Sequence, residues 1–192
     1  MLLCWTTTTM QGIIIVMKEK IANKAYELGF EYEQKYRGCA QCTVAALQDA
    51  FEIKDDSLFR AASGLSSGGG LTCSGSCGAY VGSVMFMSSL LGRRREFFDN
   101  DDDFKYTTFD LAKQLHDRFV KAYGTILCSS IHQEIFGRTY DLNDQDDKNQ
   151  FNSDGAHVDK CTSVVANGAK WCVELVYDHL YERKLLPDKF YH

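Results

Sequence analysis

Proline is all but missing from this 192-residue chain, Pro187 being its one instance. Proline breaks helices and stiffens the linkers between domains, so helices here can run on and no Pro-rich segment divides the chain. Positive charge is also short. The formal net charge of −5 excludes the electrostatic footprint of a nucleic-acid binder or of a protein drawn to an anionic membrane surface. No apolar run approaches the roughly 20 residues of a membrane span, and nowhere is strand-like alternation sustained. What remains is an ordinary globular composition, 45% hydrophobic and 24% charged, long enough for one domain with a real core.

Several catalytic signatures are missing too. There is no C-x-x-C-H for covalent c-type haem, no Ser/His/Asp arrangement and no nucleotide fingerprint. The glycine run 68–70 lacks the lysine and the strand context of a phosphate loop. An export signal is not evident: the first twenty residues have no basic n-region, a short apolar run at 12–17 and no small-residue cleavage site. Residues 1–16, which include Cys4, are Thr-rich without helical period and are expected to be a disordered tail or an over-long start. Residues 17–192 then form a single helical domain.

Against these absences stand eight cysteines. Without an export signal the expected compartment is the reducing cytoplasm, where clustered cysteines mean metal or redox chemistry more often than a disulfide framework. Helical spacing of apolar residues predicts helices over 17–35, 39–53, a short one from 58, 78–91, 109–123, 126–136 and 160–183. The segment 78–91 is apolar all round and reads as a buried central helix. The acidic stretch 99–103 reads as a solvated, capping turn. The polar stretch 138–159 reads as a structureless surface loop or lid. The fold class expected is all-α, a compact bundle of about five to six helices with a glycine-rich loop before its central helix.

The chain is organised around 68–82, GGGLTCSGSCGAYVG. Cys77 ends that loop and starts the central helix. Cys39 follows Arg37-Gly38, Cys128 follows Gly124-Thr125, and Cys161 follows the Asp154-Gly155 loop. All four fall in the predicted first turn of a helix, where unpaired N–H groups and the helix dipole favour a thiolate and lower a cysteine pKa. Cys39, Cys77, Cys128 and Cys161 are therefore the candidate metal ligands, or the redox cysteines if no metal binds. Cys42 and Cys73 are auxiliary candidates, and Cys172 reads as a buried core residue. Gly69, Gly70, Gly78 and Gly82 are expected to let the backbone approach a cofactor. Of the histidines, His132 lies one helical turn after Cys128 and His157 four residues before Cys161, so each could tune a site. His116 and His179 read as surface or partly packed.

These residues carry a resemblance to the C_GCAxxG_C_C family of redox-active proteins. It rests on Cys39-Ala-Gln, the Gly68–Gly70 run, Cys77-Gly-Ala-Tyr-Val-Gly82, and Phe119 followed by Tyr123-Gly124-Thr125 and Cys128. Phe136-Gly137 and Cys161 complete it, from about residue 22 to 177. The resemblance implies a helical protein with a redox role carried by four cysteines. The chain is also similar to the cysteine-bearing part of split-Soret cytochromes, which implies an iron–sulfur centre; their haem does not carry over. Cys42 and Cys73 depart from the family pattern and leave open which four sulfurs act.

Three functions follow. The first is electron transfer through a [2Fe–2S] or [4Fe–4S] cluster, with a redox partner protein, no nucleic acid and no membrane; a homodimer is left open. The second is a thiol–disulfide oxidoreductase or redox sensor using a pair such as Cys39 and Cys77, or Cys73 and Cys77. The third, ranked last because the cysteines are far apart in sequence, is structural zinc.

Overall fold

The computed structural model describes residues 7–99 and 102–182. Cys4, Pro187 and part of the acidic 99–103 stretch lie outside the described residues. Eight α-helices and no strands are found among them: α1 Thr7–Lys35, α2 Cys39–Phe51, α3 Asp56–Ala61, α4 Gly78–Leu91, α5 Asp102–Tyr123, α6 Cys128–Phe136, α7 Gln145–Ser153 and α8 Cys161–Glu182. The all-α class is as expected, and the count exceeds the five or six read from the sequence. None of these helices is long and apolar enough to cross a membrane.

Three boundaries differ instructively. The first helix starts at Thr7, ahead of Met17, although its β-branched residues are weak helix formers in isolation. The fifth starts at Asp102, seven residues ahead of the amphipathic stripe that marked it. The third correction is the largest. The stretch expected as a structureless loop holds α7, capped by Asp144, whose side chain accepts from the backbone N–H of Asp146 and Asp147 as aspartates at N-caps do. A single turn of π-helix, Ala156–Lys160, then runs directly into α8. Arg138 pairs with Asp147, and Tyr140 donates to Asp154 at 2.7 Å. Polar composition hid a helix whose stability is tertiary, since it hangs on one buried aromatic, Phe151.

The main core forms where α8 lies along α1, with α2 and α4 against both α8 and each other, and α5 on the outside of α4 and α8. Tyr177 sits at its centre, 5.8 Å from Phe51 between ring centroids, with Phe86 a further 5.3 Å from Phe51. The central helix enters this core on a bare face. A Cβ at Gly82 would come 2.7 Å from Ala40 O and 3.0 Å from Thr43 Cβ, so α2 and α4 touch backbone to backbone. A second, smaller core gathers Cys73, Cys128, Tyr140, Leu142, Phe151 and Ala156, and the chemistry lies between the two.

Candidate thiol–imidazole centre

The four helix starts are where the local patterns put them. Cys39, Cys128 and Cys161 are the first residues of α2, α6 and α8, and Cys77 is the N-cap of α4. What no local pattern could supply is their convergence. All four line one cavity of about 230 Å³. Cys39 and Cys77 come from the close α2–α4 contact, Cys128 from α6 and Cys161 from the kinked entry to α8.

The remaining wall is mostly apolar, with a few polar side chains set into it. Glu33 reaches in from the last turn of α1, His132 from α6, His157 from the π-turn and Ser66 from the turn before the glycine loop. Four buried atoms on this wall have no hydrogen-bond partner: Glu33 Oε2, Ser66 Oγ, His132 Nδ1 and His157 Nδ1. His157 Nδ1 does lie 3.4 Å from Glu33 Oε1, an electrostatic contact without hydrogen-bond alignment. Buried polar groups are nearly always satisfied, so these four atoms among thiols carry hydrogen-bonding capacity that water or a ligand can take up. His132 Nε2 is the closest link between the sulfurs, 3.6 Å from Cys128 Sγ and 3.9 Å from Cys161 Sγ.

Electrostatics overturn one expectation. Backbone amides do donate to these sulfurs: Ser67 N–H, in the turn before the glycine loop, reaches Cys39 Sγ at 3.4 Å, the Gly78 amide at the start of α4 also faces Cys39, and the Ala79 and Tyr80 amides face Cys77. Burial wins nonetheless. It pushes the Cys77 thiol up to about 11 and raises those of Cys39 and Cys161 further, with Glu33 and the other cysteines adding repulsion. At Cys161 the helix end is not open at all, because its own N–H is spent on Ala156 O. Moving a thiolate out of water costs more than a few amide dipoles return. The four thiols are therefore neutral unless a cation draws their protons off.

One thiol is displaced the other way. The Cys73 pKa is lowered, first by a hydrogen bond from Cys128 and then by His132, while that of Cys128 is raised by the same bond and by burial. Cys73, Cys128 and His132, all buried, bring two sulfurs and a ring nitrogen within 4.8 Å of one another, a group that could hold a metal ion. The sequence demoted Cys73 to an auxiliary; the structure makes it the neighbour of Cys128.

The other candidates separate cleanly. Cys42 is buried but off the cavity wall, its thiol donating to Arg37 O at 3.1 Å. Cys172 lies in the main core, donating to Ser83 O. Gly69, Gly70, Gly78 and Gly82 do not line the cavity. Gly69 and Gly70 have positive φ and open space around them, whereas Gly78 and Gly82 face α2. His116 is on the surface beside Asp117. Glu33 went unrecognised because its position in a charged helix, two residues from Glu31, looks solvated; only the packing of α1 on α8 and the π-turn buries it.

A buried centre of thiols and imidazoles in an all-helical protein offers the donor atoms that redox and metal chemistry use. Residues 36–175 match the family model described as "Putative redox-active protein (C_GCAxxG_C_C)". The chain belongs to that redox-active family. No curated protein and no solved structure gives a match.

Proposed function

We propose that this protein carries electrons through an iron–sulfur cluster held by Cys39, Cys77, Cys128 and Cys161. The observation that carries this reading is that the four cysteines line one cavity. Their spacing argues for a polynuclear group. Four thiolates on a single zinc, at about 2.3 Å from the metal, must lie about 3.8 Å apart. No three of these four sulfurs lie within 4.8 Å of one another, a separation suited to ligands bound to different metal atoms. The donor set fits the group as well: the thiols are buried and neutral in its absence, and the backbone amides of Ser67, Gly78, Ala79 and Tyr80 that face Cys39 and Cys77 would offset the net negative charge of a thiolate-held cluster. When bound, such a cluster supplies reversible one-electron chemistry. The chain's own residues hold the sulfurs, exclude water through Phe151, Leu142 and Val164 on the cavity wall, and place two imidazoles beside them. The electrons would pass to and from a redox partner protein, in a reducing compartment such as the cytoplasm.

A second reading has its own observation, the close Cys73–Cys128–His132 group, which suits a single ion such as zinc. Anaerobic purification and reconstitution with iron and sulfide separates the two. A coloured protein with iron and acid-labile sulfide in matched amounts is expected. A colourless protein that keeps stoichiometric zinc and takes up no sulfide overturns the cluster in favour of the single ion.

A further inference from the structure

The end of the glycine loop is tied to the start of α6 by main-chain bonds that leave Cys73 no freedom to move away from Cys128. Ser76 and Leu127 form an antiparallel bridge. Around it, Cys77 N donates to Ile126 O at 2.8 Å, Cys128 N to Gly75 O at 3.0 Å and Ser129 N to Cys73 O at 3.0 Å. Cys73 itself is left-handed, with φ 56°, a conformation that persists in a non-glycine residue only when its surroundings enforce it. Part of that enforcement is Gly68, where a Cβ would come 2.8 Å from Cys73 C. Cys128 is on the cavity wall and Cys73 is not. Cys73 is 3% exposed, yet its sequence neighbours Thr72 and Ser74 are on the surface, so it lies one residue beneath solvent.

We propose that Cys73 is a resolving thiol that closes a reversible disulfide with Cys128 in response to peroxide, withdrawing Cys128 from the four-cysteine cavity. The consequence for metal loading rests on the cluster reading above; the disulfide does not. The oxidant is a small peroxide, because a bulky disulfide cannot reach sulfurs this deeply covered. The Cys73 sulfur attacks one peroxide oxygen, forming an S–O bond as the O–O bond breaks, and the departing hydroxide leaves as water with the Cys73 proton. The Cys128 sulfur then attacks the resulting sulfenic acid; an S–S bond forms, the S–O bond breaks, and the second hydroxide leaves as water with the Cys128 proton. Two thiols and one hydrogen peroxide become one disulfide and two waters. Reduction by a free thiol restores both cysteines. The device uses a cysteine outside the four-cysteine pattern, so it is a property of this chain.

The test is peptide mapping of the full-length protein, reduced and then exposed to hydrogen peroxide, with remaining thiols alkylated and digestion carried out without reductant. A Cys73–Cys128 linked peptide is expected, lost again on adding dithiothreitol. Linkage of Cys128 to any other cysteine, or oxidation of Cys73 to sulfinic acid with Cys128 still free, overturns the proposal. Cys73→Ser provides the second arm. Its iron loss under peroxide, measured relative to its own iron content before oxidation, should be slower than that of the unmodified chain. If Cys73→Ser instead fails to load metal as completely as Cys128→Ser does, Cys73 is a ligand, and the switch falls while metal binding stands. If the linked peptide forms in a protein that never takes up iron, the disulfide is supported and the cluster reading fails alone.

Discussion

Gly78 leaves no room for a side chain beside the sulfur of Cys39: a Cβ there would overlap Sγ and come within 2.8 Å of Ala40 N. The glycine that starts the central helix thus sets how closely two of the four cavity cysteines approach. Gly78→Ala should cost about 1–3 kcal/mol by overpacking and also reduce iron uptake, because Cys39 has to move. Gly82→Ala meets Ala40 O and Thr43 Cβ instead of a sulfur, so it should lose similar stability while keeping its iron. Chemical denaturation and iron content of both variants check the pair; equal iron loss in the two would mean that Gly78 acts only through packing.

Replacing the cysteines one at a time should divide them by position on the cavity wall. Serine at 39, 77, 128 or 161 should abolish or severely reduce cluster assembly. Cys42→Ser and Cys172→Ser should load normally, since neither lines the cavity, though each loses the thiol's packing. Iron and sulfide analysis of the six proteins decides, and a requirement for Cys42 would contradict the assignment.

Glu33 is 3% exposed, and one of its oxygens has no partner. A buried negative charge opposes the addition of an electron nearby. Glu33→Gln should therefore raise the midpoint potential of the bound centre. A potentiometric titration monitored by visible absorption reads the shift, and a fall in potential would show that the carboxylate acts by another route.

The metal-free protein should weaken in alkali. Burial raises the Cys77 pKa from the ordinary 9.0 to about 11 and moves Cys39 and Cys161 the same way. A folded-state pKa above the unfolded one contributes stability that is complete below the unfolded value and is lost as pH rises through the folded value. Urea midpoints of the apo protein should thus fall between about pH 9 and about pH 11, and Cys161→Ser should fall less over the same window. Metal loading, which removes the thiol protons, should release protons and tighten as pH rises.

Phe151 joins the late acidic segment to the site. Its ring lies 5.0 Å from His132 and 5.1 Å from Tyr140 between centroids, and it lines the cavity. Phe151→Ala should cost about 3–5 kcal/mol and open the cavity, so that an uncharged alkylating reagent modifies Cys128 and Cys161 faster. Unchanged alkylation rates would show that α7 does not cover the thiols.

What the sequence by itself determined is local. Turn glycines before Cys39 and Cys161, the Gly124 break before Cys128 and the apolar run after Cys77 mark four helix starts, because chain reversal and helix entry depend on residues a few positions apart. The placement of His132 one turn after Cys128 is legible for the same reason. Tertiary structure decided the rest. Pairing of 73–77 with 126–129 set Cys73 against Cys128 across more than fifty residues, and packing of α1 on α8 carried Glu33 to His157. Packing also reversed the direction of the thiol pKa shifts. A helix N-terminus can be read from the sequence, but the desolvation that outweighs it depends on every segment that closes over the sulfur.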